Sequence, residues 1–412
     1  VNFGVRWEMQ DMRDILGNSA IFIKDNVAPR VGVIYDWTDE GKSRLYASYG
    51  WFFQPLPLQL NSRVFGGLVQ VQRLYRLSDC DTEVTTVEDA NGNLVPNARF
   101  ENGQPTEWCT DTNVSTSGLT QGGVVPRLRG QYNQQFQVGY EQEVVEDLVL
   151  GFRWLHTDLG RAVEDVSTDG GQKFIIANPG VAVDQADINK QQAECDALQA
   201  QYDEFEMNDP DNPEKTVVAR ERVQCEFLVN AYEQINKLYD SPTRNFDSFT
   251  FEFKKRFAKN WLLLASYTYS RLIGNYDGFV DPTTGAINLG SSFQYDTPEL
   301  VRNSFGPLSN NQPHRGKLDG FYSFDLKAAG RLTLGTSVRV QSGFPVSVRG
   351  GYSRVPGTTL IYVLPRGAGG RIQPNYSWNA SLGWAYPLPK DLELEFTARV
   401  LNLTNAKAVL RV

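Results

Sequence analysis

Few side chains in this sequence are suited to chemistry. There are four cysteines, Cys80, Cys109, Cys195 and Cys225, and two histidines, His156 and His314. A covalent nucleophile needs a base within reach, and a metal needs several ligands at matched spacing. Neither histidine has that company. His156 falls on the aromatic side of an alternating stretch, where interfacial packing suits it better than proton transfer. His314 sits in Asn311-Gln312-Pro313-His314-Arg315, where another such stretch begins. No phosphate-cradling Gly-rich loop follows a strand. The expectation is therefore a protein that is not an enzyme, with no catalytic residue, cofactor or metal site. A membrane-embedded protease or lipase is the residual alternative.

The cysteines point to structure. An even number in oxidising surroundings reads as disulfides. Cys80 and Cys109 share one connecting segment, and Cys195 and Cys225 share another. For the second pair there is a geometric argument. Residues 186–205 place Ile188, Cys195, Leu198, Tyr202 and Phe205 on one helical stripe, and residues 216–239 place Val217, Leu228, Ala231, Ile235 and Leu238 on another. Between them Asn208-Asp209-Pro210-Asp211-Asn212-Pro213 breaks the helix. Folded back on Pro210, the two cysteines come opposite each other. The alternative is two free buried thiols. This unit, 184–240, holds fourteen Asp/Glu against five Lys/Arg, a net −9, so the chain's net charge of −8 is local to it and the rest is close to neutral. The run Asp209–Asn212 lacks calcium-loop spacing, so a solvated acidic face is expected. Nothing basic is clustered, which argues against a nucleic acid partner.

The elements that carry these segments are long strands. Apolar and aromatic residues alternate with polar or small ones in Phe3, Val5, Trp7; Leu45, Ala47, Tyr49, Trp51; Trp261, Leu263, Ala265, Tyr267, Tyr269; and Tyr376 to Tyr386. The expected strands are 1–9, 28–37, 43–52, 131–144, 147–158, 245–257, 260–274, 313–325, 331–343, 375–387 and 391–404. A tilted strand spans a bilayer in about nine to eleven residues, whereas soluble strands average about five or six. No run of eighteen apolar residues offers a membrane helix.

The connections alternate in length. Thr38–Lys42, Val144–Asp147, Phe257–Asn260, Leu326–Gly330 and Pro387–Asp391 are tiny, while Gln10–Val27, Phe53–Gly130, Leu159–Pro242, Tyr276–Asn311 and Phe344–Gln373 are long. Short turns at one end and long loops at the other mark a transmembrane β-barrel. The fold class is all-β, an antiparallel barrel in the bacterial outer membrane. The lipid bilayer is a partner. Loops holding Cys80, Cys195, Asp281 and Arg354 are expected outside, and Glu40, Glu146 and Lys259 in the periplasm. Eleven strands is an odd number, and the chain opens and stops inside the pattern, so 1–412 is expected to be a fragment of a longer barrel.

Several strings resemble a known family. They are Ala28-Pro29-Arg30-Val31-Gly32, Leu45–Phe52, Ala265–Arg271 with Gly274-Asn275-Tyr276, Gln312-Pro313-His314-Arg315, Gln341–Pro345, Leu364–Gly367 and Val400–Asn405. In order and spacing they resemble the C-terminal barrel half of TonB-dependent outer-membrane transporters, within them the Oar-like branch. The resemblance covers all strands and leaves out the acidic hairpin. It implies twenty-two strands, a plug domain and a TonB-contacting N-terminal segment not in this chain, and energised movement of a large or scarce solute. The alternatives are a passive porin or structural surface barrel, or protein export or surface display. The polar residues expected to face the lumen and hold the plug are Arg6, Arg30, Glu141, Arg153, Asp319, Arg339, Glu393 and Arg399. The loops are expected to meet the ligand, a surface lipoprotein or another extracellular partner.

Overall fold

The computed structural model describes residues 1–13, 17–58, 70–75, 86–88, 94–96, 100–101, 104–105, 111–117, 121–171, 173–209, 212–280, 293–352, 359–390 and 392–407. Eleven strands form one continuous antiparallel meander: β1 (Asn2–Arg13), β2 (Ser19–Tyr35), β3 (Ser43–Gln54), β4 (Gln131–Val145), β5 (Leu148–Arg161), β6 (Arg244–Ala258), β7 (Trp261–Gly274), β8 (His314–Asp325), β9 (Arg331–Gln341), β10 (Asn375–Leu388) and β11 (Leu392–Val400). Each pairs with its sequence neighbours, and β1 and β11 do not pair with each other, so the barrel wall is open. All eleven expected strands are present.

The register keeps two faces apart. Opposed residues in an antiparallel pair share a face. Val31 lies opposite Phe3 and Tyr49, Phe152 opposite Tyr140 and Phe251, and Trp384 opposite Leu332 and Phe396. That face carries large apolar side chains in the open: Phe251 is 55% exposed and Tyr376 48%. So wide an apolar surface is stable only against lipid. Aromatic rings stand toward both strand ends, and several have their polar tips bonded. Trp51 Nε1 donates to Tyr49 Oη at 2.8 Å and Tyr49 to Gln134 at 2.7 Å near one end, and Trp384 Nε1 donates to the Ala329 carbonyl at 2.8 Å at the other. An apolar ring with one wet tip suits the headgroup level.

The short turns stand where expected. At the β6–β7 turn Lys259 and Asn260 both take positive φ (52° and 68°), the conformation that matches a hairpin's twist. On the opposite end, one expected loop is corrected. Residues 10–27 are mostly strand: β1 runs to Arg13 and β2 begins at Ser19, past a bulge near Glu8–Gln10. Met12, Ile21 and Ile23 are buried there while Asp11 and Phe22 are exposed. Lys24, Asp25 and Asn26 interrupt the lipid pattern because the strands have left the apolar belt and bury a different face. The last strand is shorter than expected and stops at Val400. Asn402 turns the chain with φ 53°, its side chain bonding both backbone groups of Ala406 at 2.9 and 3.1 Å.

Two helices interrupt the meander between β5 and β6, α1 (Gln185–Asn208) and α2 (Pro213–Leu238). Asp184 caps α1 by accepting from the Ala186 N–H at 3.0 Å, and Asn212 caps α2 by accepting from Glu214 at 2.9 Å. Cys195 and Cys225 form a disulfide with Cα atoms 5.5 Å apart. Cys80 and Cys109 lie outside the described residues. Val217 and Leu238 do not join the packed stripe and are 51% and 39% exposed. Ala231 and Ile235 are buried as expected, and Val218, Phe227 and Tyr232 are buried with them. The reason is that α2 lies between α1 and the loops beneath it and so buries two faces.

A polar wall beneath a folded loop cap

Two features could act on a ligand: the polar face of the sheet, and the assembly its long loops build at one end. On the polar face the structure places all eight expected residues on the same side. Arg6 lies opposite Ala28, Arg30 opposite Gly50, Arg153 opposite Gly139 and Thr250, Asp319 opposite Ser337, and Arg399 opposite Ser381. They do not converge on one point. Glu141 joins Arg44 at 2.9 Å and Lys254 at 3.5 Å, and Lys254 also meets Glu252 at 2.5 Å. This ladder crosses β5 at Gly151, where an added Cβ would sit 3.4 Å from both Glu141 and Glu252. Asp319 pairs with Arg339 at 2.7 Å, and Glu393 with Arg331 at 3.4 Å. Arg6 pairs with Glu8, and Arg30 stacks 4.6 Å from the Phe52 ring centre. Arg153 and Arg399 form no ion pair among the described residues. The sequence reading missed Arg44, Glu252, Lys254 and Arg331, although each shares the strand parity of its partner. A cavity of about 420 Å³ opens beside Arg315, Lys317 and Arg339.

The cap was not foreseen. The long loops share one apolar core. Met12, Ile21 and Ile23 from the first hairpin, Leu56, Val125 and Leu128 from the second loop, Val163, Val166, Ile175 and Ile176 from the third, Phe227, Ala231, Ile235 and Tyr239 from α2 and its end, and Tyr276, Phe279 and Tyr295 from the fourth form a single cluster. A three-stranded sheet of Gln121–Val124, Phe174–Ala177 and Glu164–Val166 forms its floor, with the first two parallel. Such burial is the main stabilising term, at about 25 cal/mol per Å² of apolar surface.

Polar side chains pin the loops to the strand ends. Gln131 Oε1 accepts from Val163 N at 3.1 Å and from the Tyr276 hydroxyl at 2.7 Å, while its amide donates to Gln54 at 3.0 Å. Asn178 donates to the carbonyls of Arg129 (2.9 Å) and Ala162 (2.8 Å) and accepts from Arg129 N at 3.0 Å. Arg366, almost fully buried, donates to both oxygens of Asp277 at 2.5 and 2.6 Å and to Ser309 at 3.1 Å. Burial, with the nearby charge of Asp165, pushes the Asp296 carboxyl up to about 8. Burial likewise raises the phenols of Tyr239, Tyr276 and Tyr295. On the outer side, Arg127 spans to Asp187 at 2.9 Å and Asp184 at 3.2 Å beside a cavity of about 350 Å³.

No group of three or more His, Cys, Asp or Glu among the described residues is arranged to hold a metal. His156 Nδ1 lies 2.8 Å from Asp247 and His314 Nδ1 lies 2.7 Å from the Tyr267 hydroxyl, both on the apolar face. Both serve packing at the aromatic end of the wall.

The chain matches a protein-family model described as an outer membrane beta barrel domain over residues 11–385. It is 27% identical over 422 residues to the TonB-dependent transporter Oar of Myxococcus xanthus, covering 99% of this chain and 34% of that protein. The chain thus spans about a third of the length of the curated relative it matches. Among solved structures it is similar to the outer membrane transporter YddB of Escherichia coli (12% identity, TM-score 0.47, 99% of this chain and 39% of that one). It is also similar to the Escherichia coli ferric-catecholate import receptor Fiu (10% identity, TM-score 0.41, 97% and 34%). At those scores the two structures add nothing to the fold described above.

Proposed function

Because the chain belongs to the outer membrane beta barrel family, we propose that it is the C-terminal part of the barrel of a TonB-dependent transporter in a Gram-negative outer membrane. The observation that carries this reading is the pairing of two features: an eleven-stranded wall with one lipid-suited face, and a cap in which the long loops pack together at one end only. A polar wall under a structured cap suits selective admission of a large or scarce solute. The name of the Myxococcus xanthus relative supports energised transport. In this reading the polar face, including Arg6, Arg30, Glu141, Arg153, Asp319, Arg339, Glu393 and Arg399, holds a plug domain encoded outside these 412 residues. The plug in turn is worked by TonB.

The test compares cells that carry or lack the full-length protein. Solutes depleted from a complex medium are measured with and without a protonophore. Energised import predicts a solute whose depletion needs both the protein and the proton gradient. Depletion that needs the protein but ignores the protonophore would make it a passive pore. A loss of secreted or displayed proteins, with no change in depletion, would turn the reading to export.

A further inference from the structure

The apolar face is interrupted where β7 changes partners. From Trp261 to Tyr269, β7 pairs with β8; beyond that, Ile273 and Gly274 pair with Pro307 and Gly306. Leu308 N and the Pro313 carbonyl still bond to β7, but the segment between, 309–312, leaves the ladder, and a cavity of about 300 Å³ opens beside Arg271, Tyr269, Phe305, Pro313 and Arg371. Arg271 follows Leu263, Ala265, Tyr267 and Tyr269 at period two, so it is the first charge past the apolar belt on that strand.

Neither arginine at this cavity forms an ion pair among the described residues. The residue opposite Arg271 is Asp247, whose carboxylate is engaged by His156 at 2.8 Å and Trp154 Nε1 at 3.4 Å. No ion pair of Arg271 occurs among the described residues. Arg371 donates Nη1 to the carbonyls of Asn311 (2.6 Å) and Gly343 (3.1 Å), which fix its guanidinium without neutralising it. Both arginines are exposed, and Phe305 beside them is 59% exposed. Two guanidiniums held in one cavity repel each other unless an anion lies between them. Their planar donor forks match phosphate oxygens. The exposed aromatic ring and the adjoining apolar belt match acyl chains.

We propose that this cavity binds the phosphorylated headgroup of a membrane lipid in the leaflet at the long-loop end. It shares with the proposed function one premise only, that the apolar face meets lipid. The phosphate bridges Arg271 and Arg371 while an acyl chain lies along Tyr269 and Tyr267. A free anion would gain nothing from the belt, so the lipid is the occupant the surroundings favour.

The experiment uses full-length protein in detergent, titrated with bisphosphorylated lipid A and with the same lipid stripped of its phosphates, and read by native mass spectrometry. The wild type should bind the phosphorylated form about tenfold or more tightly, since a charge-assisted bond contributes at least that much. Arg271→Gln should bring the phosphorylated form down to the level of the stripped one. Equal binding of the two lipids by the wild type, or wild-type binding by Arg271→Gln, overturns the proposal. So does displacement by millimolar inorganic phosphate with the belt lipid left bound, which would make the site one for a free anion. Arg371→Gln should act like Arg271→Gln. Because Arg371 also ties two carbonyls, folding of each variant is checked by heat-modified gel migration, and binding by Arg271→Gln decides. No step involves uptake, so transport and lipid binding fail separately.

Discussion

Arg366 and Asp277 are the most consequential pair of side chains in the cap. With both side chains nearly sealed from water, removing one charge strands the other. Asp277→Asn should destabilise the cap by about 3–5 kcal/mol, measured as lost hydrogen-exchange protection in 303–309 and 362–366. Replacing both by apolar residues should recover most of that loss. Asp296 sets a pH dependence. Its folded carboxyl titrates at about 8 and an unfolded one near 3.8. Between those values the folded cap holds a proton that the unfolded chain has released, so stability falls as pH rises. Exchange protection around 293–301 should be higher at pH 6 than at pH 9, and Asp296→Asn should flatten the difference. On the wall, Leu263 is a poor test of the lipid face, because it lies two residues from the turn and opposite Lys255. Phe251, mid-strand and flanked by Phe152 and Tyr267, is the better one. Phe251→Arg should cost about 2–4 kcal/mol by urea unfolding in bilayers, and Gln135→Arg on the polar face less than about 1.

Among the elements, α1 depends most on its tether. Its buried residues are Ile188 and Cys195, both in its first half, and only Ile188 reaches the cap core, whereas α2 sends Phe227, Ala231, Tyr232 and Ile235 into it. The disulfide joins residues 30 positions apart. Closing a loop of that size contributes about 3–4 kcal/mol in the chain-entropy model. Replacing both Cys195 and Cys225 by Ser should therefore open 196–212 to protease while α2 stays protected. Cleavage of both helices at equal rates would contradict this arrangement. The strands themselves were legible in the sequence because lipid on one side and polar surroundings on the other impose a strict period of two. That logic ends where the bilayer ends. Met12, Ile21 and Ile23 bury against loops rather than lipid, so their stretch read as a connection. Val163, Val166, Ile175 and Ile176 lie in or beside three- and four-residue strands, too short to show a period, and their partners come from other loops. The polar face was legible residue by residue, but its ion pairs were not. Partners such as Glu141 and Lys254 are 113 positions apart and meet only across Gly151.

For the whole molecule, the connection lengths predict an orientation, with the long loops outside and the short turns in the periplasm. A cysteine at Glu204, near the α1 tip, should react with an impermeant maleimide on intact cells, and one at Glu40 only after the membrane is opened. The reverse would invert the topology. Assembly of such a wall poses a problem of register. A meander forms from neighbours and folds by local zipping, which leaves each strand free to slip along the last. A slip of two residues keeps every side chain on its proper face, so neither lipid nor lumen would reject it. Gln131 would. Its one side chain must meet Gln54, Val163 and Tyr276 at once, and Tyr276 lies 145 positions away, beyond β5, β6 and β7. A shift anywhere between β3 and β7 moves those groups by about 7 Å, further than any hydrogen bond can stretch. Closing the cap thus acts as a checksum on the barrel wall: mis-registered chains remain with open loops, a population that Gln131→Leu should enlarge and that protease treatment during refolding would count.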